Sequence, residues 1–177
     1  MPEGIEIETH GDHDYKYTLP VSLTISILAV LVAAVTLLGH RAHTEELLRQ
    51  TQASDQWAYY QAKNIRFHEM QGIIDLMGAL APQGKKETEA LRDKYLDEVK
   101  RYDSDKDEIG EKAKELESER DLFSRRADRF DGGEALLEVG LVICSITLLT
   151  RRRAFWLAGI CVGAVGVLVG LTGLFLR

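Results

Sequence analysis

Residues 19–39 and 154–176 contain no charged side chain, in a chain where Asp, Glu, Lys and Arg make up 28% of all residues. No other feature limits the fold as sharply. As helices these runs are about 31 and 35 Å long, enough to cross a hydrocarbon core of roughly 30 Å. A third apolar run, Ala135–Thr150, has 16 residues and holds Glu138. It reaches only about 24 Å, so Gly133 and Glu134 must lie within the interface, or the bilayer must thin locally. A re-entrant or interfacial helix is the alternative. A span is preferred because Thr150–Arg153 leaves room only for a tight turn, which makes the last two runs an antiparallel pair.

The charges are concentrated between the runs. Residues 41–131 carry 38 of the 50 charges, 17 basic and 21 acidic, thoroughly mixed. This partition excludes a simple soluble globule and a wholly disordered chain. The net charge of −6 and the lack of a basic stripe argue against nucleic acid as a partner, since phosphate binding draws on clustered Lys and Arg. The two cysteines, Cys144 and Cys161, lie inside apolar runs, where free Cys acts as a small hydrophobe. Residues 1–17 hold five acidic residues and one Lys, the reverse of a secretory signal, so the first run is expected to stay as a span.

The expected fold class is therefore an all-α membrane protein, with three transmembrane helices and a long antiparallel, coiled-coil-like helical hairpin between spans one and two. Its parts are an acidic flexible tail over 1–18, a transmembrane helix over 19–39, the hairpin over 40–132, and transmembrane helices over 133–150 and 154–176. The only strong breaker in the hairpin, Ala81-Pro82-Gln83-Gly84, places its turn at 81–84.

The second arm keeps a heptad seam: Tyr95, Val99, Tyr102, Lys106, Ile109, Ala113, Leu116, Arg120, Phe123, Ala127, Phe130. Lys106 and Arg120 interrupt it and would set register against a carboxylate. The first arm has two stripes. One is Ala53, Trp57, Tyr60, Phe67, Ile74; the other is Ala58, Ala62, Ile65, Ile73, Leu76, Leu80. Together they make a face wider than a two-helix hairpin requires. Either the hairpin core is thick, or the face meets helices of another copy or another protein.

The third span carries Gly159, Gly163, Gly166, Gly170 and Gly173 at a strict 4-3-4-3 spacing, and the first span repeats it with Ser22, Ser26, Ala29, Ala33 and Thr36. Small residues in register let backbones approach closely, which drives helix association in lipid. The two faces can pair within one chain or between copies. Glu134 and Glu138 share a helix face, and an intramembrane carboxylate tends to mark function. The expected role for Glu138 is a structural ion pair with Arg41; an unpaired, protonated acid and a proton or cation relay are the alternatives.

His10 with His13, and His40 with His43, are short clusters that do not define a metal site. No phosphate loop, nucleophile–base pair or scaffolded carboxylate pair is present, so no enzyme activity and no cofactor are expected. Arg151, Arg152 and Arg153 fill a short loop, where the positive-inside bias acts most directly. That sets the loop and N-terminus inside and the hairpin outside. Arg41, Arg49, Arg120, Arg125, Arg126, Arg129 and Arg177 argue the other way, but charges beside long loops count less.

The string Gln52-Ala53-Ser54-Asp55-Gln56-Trp57-Ala58-Tyr59-Tyr60-Gln61-Ala62-Lys63, with Leu149-Thr150-Arg151-Arg152-Arg153-Ala154-Phe155-Trp156, resembles a family of uncharacterised bacterial membrane proteins known only as a domain of unknown function. The resemblance covers nearly the whole chain and implies a bacterial inner-membrane protein, in which the outside hairpin favoured by the arginine turn would be periplasmic. It implies no catalytic residue or ligand. The leading expectation is a non-enzymatic structural or interaction protein and scaffold. It would self-associate as a homo-oligomer, or bind a membrane-protein partner in the lipid bilayer, through Trp57, Tyr60, Phe67, Ile74 and the glycine seam. The rivals are a transport or channel subunit using Glu138, and a sensor acting through a partner.

Overall fold

The structure, a computed structural model, describes residues 11–80 and 86–176, with side chains described from residue 18. Three helices account for almost all of it: α1 (Gly11–Leu80), α2 (Lys86–Thr150) and α3 (Arg153–Phe175). Each contains a stretch long and apolar enough to cross a membrane. The expected turn at 81–84 and residues 1–10 of the expected tail lie outside the described residues, and residues 11–18 belong to α1.

The expected spans and arms merge into fewer elements. The first span and the first arm are one helix of 70 residues, and the second arm and second span are one of 65. Residues 40–52 explain the first merger. They contain neither Pro nor Gly, and once a helix is nucleated each further good former simply adds a bond. Gly132 and Gly133 do not stop α2, although each glycine weakens a helix by about 0.5–1 kcal/mol. The packing described below offsets that cost.

The chain divides into two compact units, residues 1–43 with 122–177, and residues 44–121. In the first, the spanning portions of α1, α2 and α3 pack together. All five glycines of α3 are buried. They meet a matching line on α2: an added Cβ on Gly140 would lie 2.9 Å from the Gly159 oxygen and 2.9 Å from the Gly163 nitrogen. A Cβ on Gly166 would lie 2.9 Å from both the Gly133 oxygen and the Leu137 nitrogen. Helix α1 closes the unit with Leu28 against Gly163 and Leu137, and Val35 against Gly170. Trp156 Nε1 donates to Thr24 Oγ1 at 3.2 Å, which pins the start of α3 to α1.

The link between α2 and α3 is as tight as expected. Arg151 takes a left-handed backbone (φ 54°), and its N–H donates to the Thr147 oxygen at 2.8 Å. That is the usual way to end a helix, in a position normally given to glycine. At its far end α3 is capped by Arg126, whose Nε and Nη2 donate to the Leu176 oxygen at 3.1 and 2.7 Å.

In the second unit the two arms are antiparallel. Arg49 pairs with Glu119 at 3.1 Å, Trp57 Nε1 donates to Glu117 Oε1 at 2.9 Å, and Lys63 Nζ donates to Asp105 Oδ2 at 2.8 Å. Every heptad position of the second arm, from Tyr95 to Phe130, is buried or half-buried. Gly110 sits beside Ile109 and lets the Tyr60 ring approach, with an added Cβ 3.4 Å from Cε2.

Candidate functional site

The residues singled out for contact divide into those the fold uses up and those it leaves open. Ala53 and Ile74 are buried; Trp57, Tyr60 and Phe67 are half-buried. All five face the other arm. Trp57 and Tyr60 meet edge to face at 5.5 Å, and the Lys106 ammonium lies 4.9 Å from the Phe67 centroid. Lys106 and Arg120 hydrogen-bond carboxylates of their own helix, Asp103 at 2.8 Å and Asp121 at 2.6 Å, and Arg120 is also drawn to Glu46 of the first arm. What Lys106 gives the seam is its position over an aromatic face.

The other stripe of the first arm is open. Ile65 is 58% exposed, Leu76 62% and Leu80 75%, and Ala58, Ala62 and Ile73 are exposed with them. Ile73, Leu76, Met77, Leu80 and Thr88 line a shallow apolar cavity of about 320 Å³. A surface apolar line of this length on a helix already packed along another face marks an interaction site or an aggregation liability.

The spanning unit shows the same division. The five glycines of α3 are taken by α2 and α1 of the same chain. The matching small residues of α1 are not: Ser22, Ser26, Ala29 and Ala33 are exposed, and Thr36 is half-buried. Glu134, rather than Glu138, is the carboxylate tied to α1, accepting from Thr36 Oγ1 at 2.6 Å. Neither Glu138 nor Arg41 has a hydrogen bond or ion pair among the described residues, and both are exposed.

The depth of Glu138 follows from that hydrogen bond. Helices α1 and α2 are antiparallel here, with Thr36 level with Glu134 and His43 Nε2 3.0 Å from Asp131 Oδ2. Glu138 is therefore level with residue 32 of α1. That is about 10 Å inside Gly39 and about 5 Å from the middle of the 19–39 run. Its level on α1 also lies about 13 Å from that of Arg41. A carboxylate so deep costs about 3 kcal/mol on insertion scales if lipid surrounds it.

Three features were not anticipated from sequence. The first is the α2 half of the glycine seam. Gly133, Leu137, Gly140, Cys144 and Thr147 repeat the 4-3-4-3 spacing of the α3 glycines, a signal present in the sequence. The second is the helix cap made by Arg126, for which spacing offers no cue. The third is Lys63, a flank residue by pattern. Its ammonium is held above its ordinary value of 10.5, chiefly by the hydrogen bond to Asp105. Outside the bilayer, Glu115 is shifted down by its hydrogen bond to Lys112. The side chains of His10 and His13 lie outside the described residues. Among the described residues, no group of three or more His, Cys, Asp or Glu could hold a metal ion.

These elements define an all-α protein with three helices able to cross a membrane and a polar antiparallel hairpin. Residues 18–176 match the family model described as Domain of unknown function (DUF4337), and the chain belongs to that family. Neither the search of curated proteins nor the search of solved structures gave a match.

Proposed function

We propose that this protein is a non-enzymatic scaffold of the bacterial inner membrane that associates with further copies of itself. Its hairpin lies on the periplasmic side, as the arginine-rich turn at 151–153 favours. The observation that supports self-association is the open stripe Ala58, Ala62, Ile65, Ile73, Leu76, Leu80, because the hairpin already has a complete core without it. Trp57, Tyr60, Phe67 and Ile74 serve that core, and the α3 glycines serve the packing of the spans. Contact between copies therefore falls to the outer arm face and the α1 small-residue face.

The test is the native mass in lipid discs. The wild type should give a defined oligomer, and Leu76→Glu should lower its mass or broaden it. A monomer in both cases would refute the proposal. One observation favours a second reading, a transport or channel subunit: Glu138 is a carboxylate exposed along the apolar length of α2. That reading expects Glu138→Gln to abolish an ion or proton flux in vesicles while leaving assembly intact. No flux from either form would retire it.

A further inference from the structure

The apolar runs of all three helices end at one level of the spanning unit. On α1 the uncharged run stops at Gly39, where an added Cβ would lie 3.2 Å from Asp131 Oδ1 and 3.5 Å from Phe130 Cβ of α2. On α3, Gly173 lies against the Phe130 ring and the Arg126 oxygen. Leu176, which closes the second uncharged run, has its oxygen bound by Arg126. With the spans in a bilayer, Asp131 therefore marks where the helices leave the hydrocarbon. The headgroup layer extends about 5–8 Å beyond that edge. Along α2, Arg129 and Arg125 lie about 3 and 9 Å beyond Asp131, so the two bracket the layer that holds the lipid phosphates.

A cavity opens at this level. Arg125, Asp128, Arg129 and Leu176 line a notch of about 210 Å³. The i, i+4 spacing sets Arg125 and Arg129 one turn apart on the same face of α2, and both are exposed. Among the described residues, neither of them nor Asp128 has a hydrogen bond or ion pair. Their neighbour Arg126 is engaged elsewhere, with its donors on the end of α3 and its guanidinium 5.4 Å from the Phe123 centroid. Leu176 brings the end of an apolar helix to the same wall.

Charge and level together indicate the occupant. Two guanidiniums and one carboxylate leave the notch one positive charge. The anion abundant at that depth is the phosphodiester of the lipids themselves. A guanidinium presents paired N–H donors that match two phosphate oxygens, and basic pockets beside spanning helices take lipid headgroups in this way. A monoanionic lipid makes the notch neutral, whereas a zwitterionic one leaves it positive. Asp128 then needs a donor from the headgroup, and hydroxyls supply one without adding charge.

We propose that this notch binds one monoanionic phospholipid with a hydroxyl-bearing headgroup, phosphatidylglycerol being the type. Arg125 and Arg129 hold the phosphate, Asp128 accepts from the headgroup hydroxyls, and Leu176 lies where the acyl chains begin. The site does not depend on association between copies of the chain.

The test is native mass spectrometry of the full chain in a neutral detergent, titrated with phosphatidylglycerol. One lipid per chain should bind ahead of any other. Arg125→Gln combined with Arg129→Gln should weaken that binding at least about tenfold. Arg152→Gln, at an exposed arginine in the turn at the opposite end of α3, should leave it unchanged. Circular dichroism checks that the variants keep their helices. A double variant that binds as the wild type does overturns the site. Phosphatidylcholine with the same chains should bind at least about tenfold more weakly, and equal binding overturns the charge argument. Phosphatidylmethanol, anionic but without hydroxyls, should also bind more weakly, and Asp128→Asn should erase that difference. Equal binding of the two anionic lipids to the wild type overturns the headgroup assignment. Millimolar inorganic phosphate should not displace the lipid; if it does, the occupant is free phosphate and the lipid assignment falls.

Discussion

The packing of α2 on α3 makes a sharp prediction at Gly133. A Cβ added there would lie 2.8 Å from the Gly170 nitrogen, 2.9 Å from the Gly166 oxygen and 2.9 Å from the Gly170 Cα. Carbon contacts are comfortable at about 3.5–4.0 Å, so Gly133→Ala forces the helices apart by roughly 0.7 Å. All three neighbours are backbone, and no side chain can rotate away. A gap of that size forfeits between a quarter and a half of each contact's attraction, and overpacking of this kind costs about 1–3 kcal/mol. Alanine's better helix preference returns up to about 1 kcal/mol. The expected net loss is about 1–2 kcal/mol, or roughly 5- to 30-fold in the folding equilibrium. Gly72→Ala is the control: nothing lies within 4 Å of its added Cβ, so helix preference alone should stabilise by about 0.5–1 kcal/mol. The assay is unfolding in mixed micelles by a denaturing detergent. In a Trp57→Phe background, Trp156 fluorescence reports the spanning unit alone, while helicity follows the Gly72 variant. If Gly133→Ala proves neutral or stabilising, α2 and α3 do not meet in this register.

Removing the cap on α3 with Arg126→Ala should cost about 1.5–3 kcal/mol, the range for hydrogen bonds from a charged donor. Amide exchange in the last turn of α3 should accelerate, while the first turn is unchanged. Trp57→Phe keeps an aromatic ring, though a smaller one, and loses the bond to Glu117, which should lower hairpin stability by at least about 1 kcal/mol in thermal melts followed by circular dichroism. The raised Lys63 ammonium sets a pH dependence. A group whose folded value is raised stabilises fully below its ordinary value near 10.5, and that contribution is lost as pH rises through the raised value. Hairpin stability should therefore fall above about pH 10.5, and Lys63→Met, which starts less stable, should fall less steeply across the same range. Equal slopes for the two forms would refute the role given to the Lys63–Asp105 pair.

The helices, their apolar stretches and the second-arm seam were legible because each rests on local periodicity. Merging a span with an arm was less so, since hydropathy changes sharply at His40 while helix preference does not. Pairing was the hard part. Both first-arm stripes are apolar, and only tertiary register against Tyr102, Ala113 and Leu116 decides that Trp57 and Ile74 go in while Ile65 and Leu76 stay out. The α3 glycines announced a packed face without naming its occupant, because a smooth groove fits any backbone that can approach it. The missing clue was the equal spacing of Gly133 and Gly140 on α2. The surroundings of Glu138 were hard to read for a related reason, since they depend on which α1 residue lies beside it. The bond between Thr36 and Glu134 fixes the level, and with it the separation from Arg41.

The composition of the two arms points the same way as the exposed faces. Residues 86–121 of α2 include 23 charged residues among 36, whereas residues 44–80 of α1 include 8 among 37. A hairpin standing alone in water asks each helix for one apolar seam and charges elsewhere, and α2 meets that description. Helix α1 does not, since beside its seam it carries a second line with few charges to keep it wetted. The same helix holds the open small-residue line of the spanning unit. One helix therefore supplies an uncovered face in each unit, one suited to water and one to lipid. Solubility alone selects against the first, and the small residues of the second allow the close helix approach that favours contact in lipid. Retaining both is reasonable if α1 is the helix along which copies meet. Charging α1 at Leu76 and filling its small-residue line with Ala33→Trp should then weaken the assembly independently, each variant losing part of the association and the double variant losing the product of the two factors. A double variant no weaker than Ala33→Trp alone would mean that the arm stripe takes no part in the contact between copies.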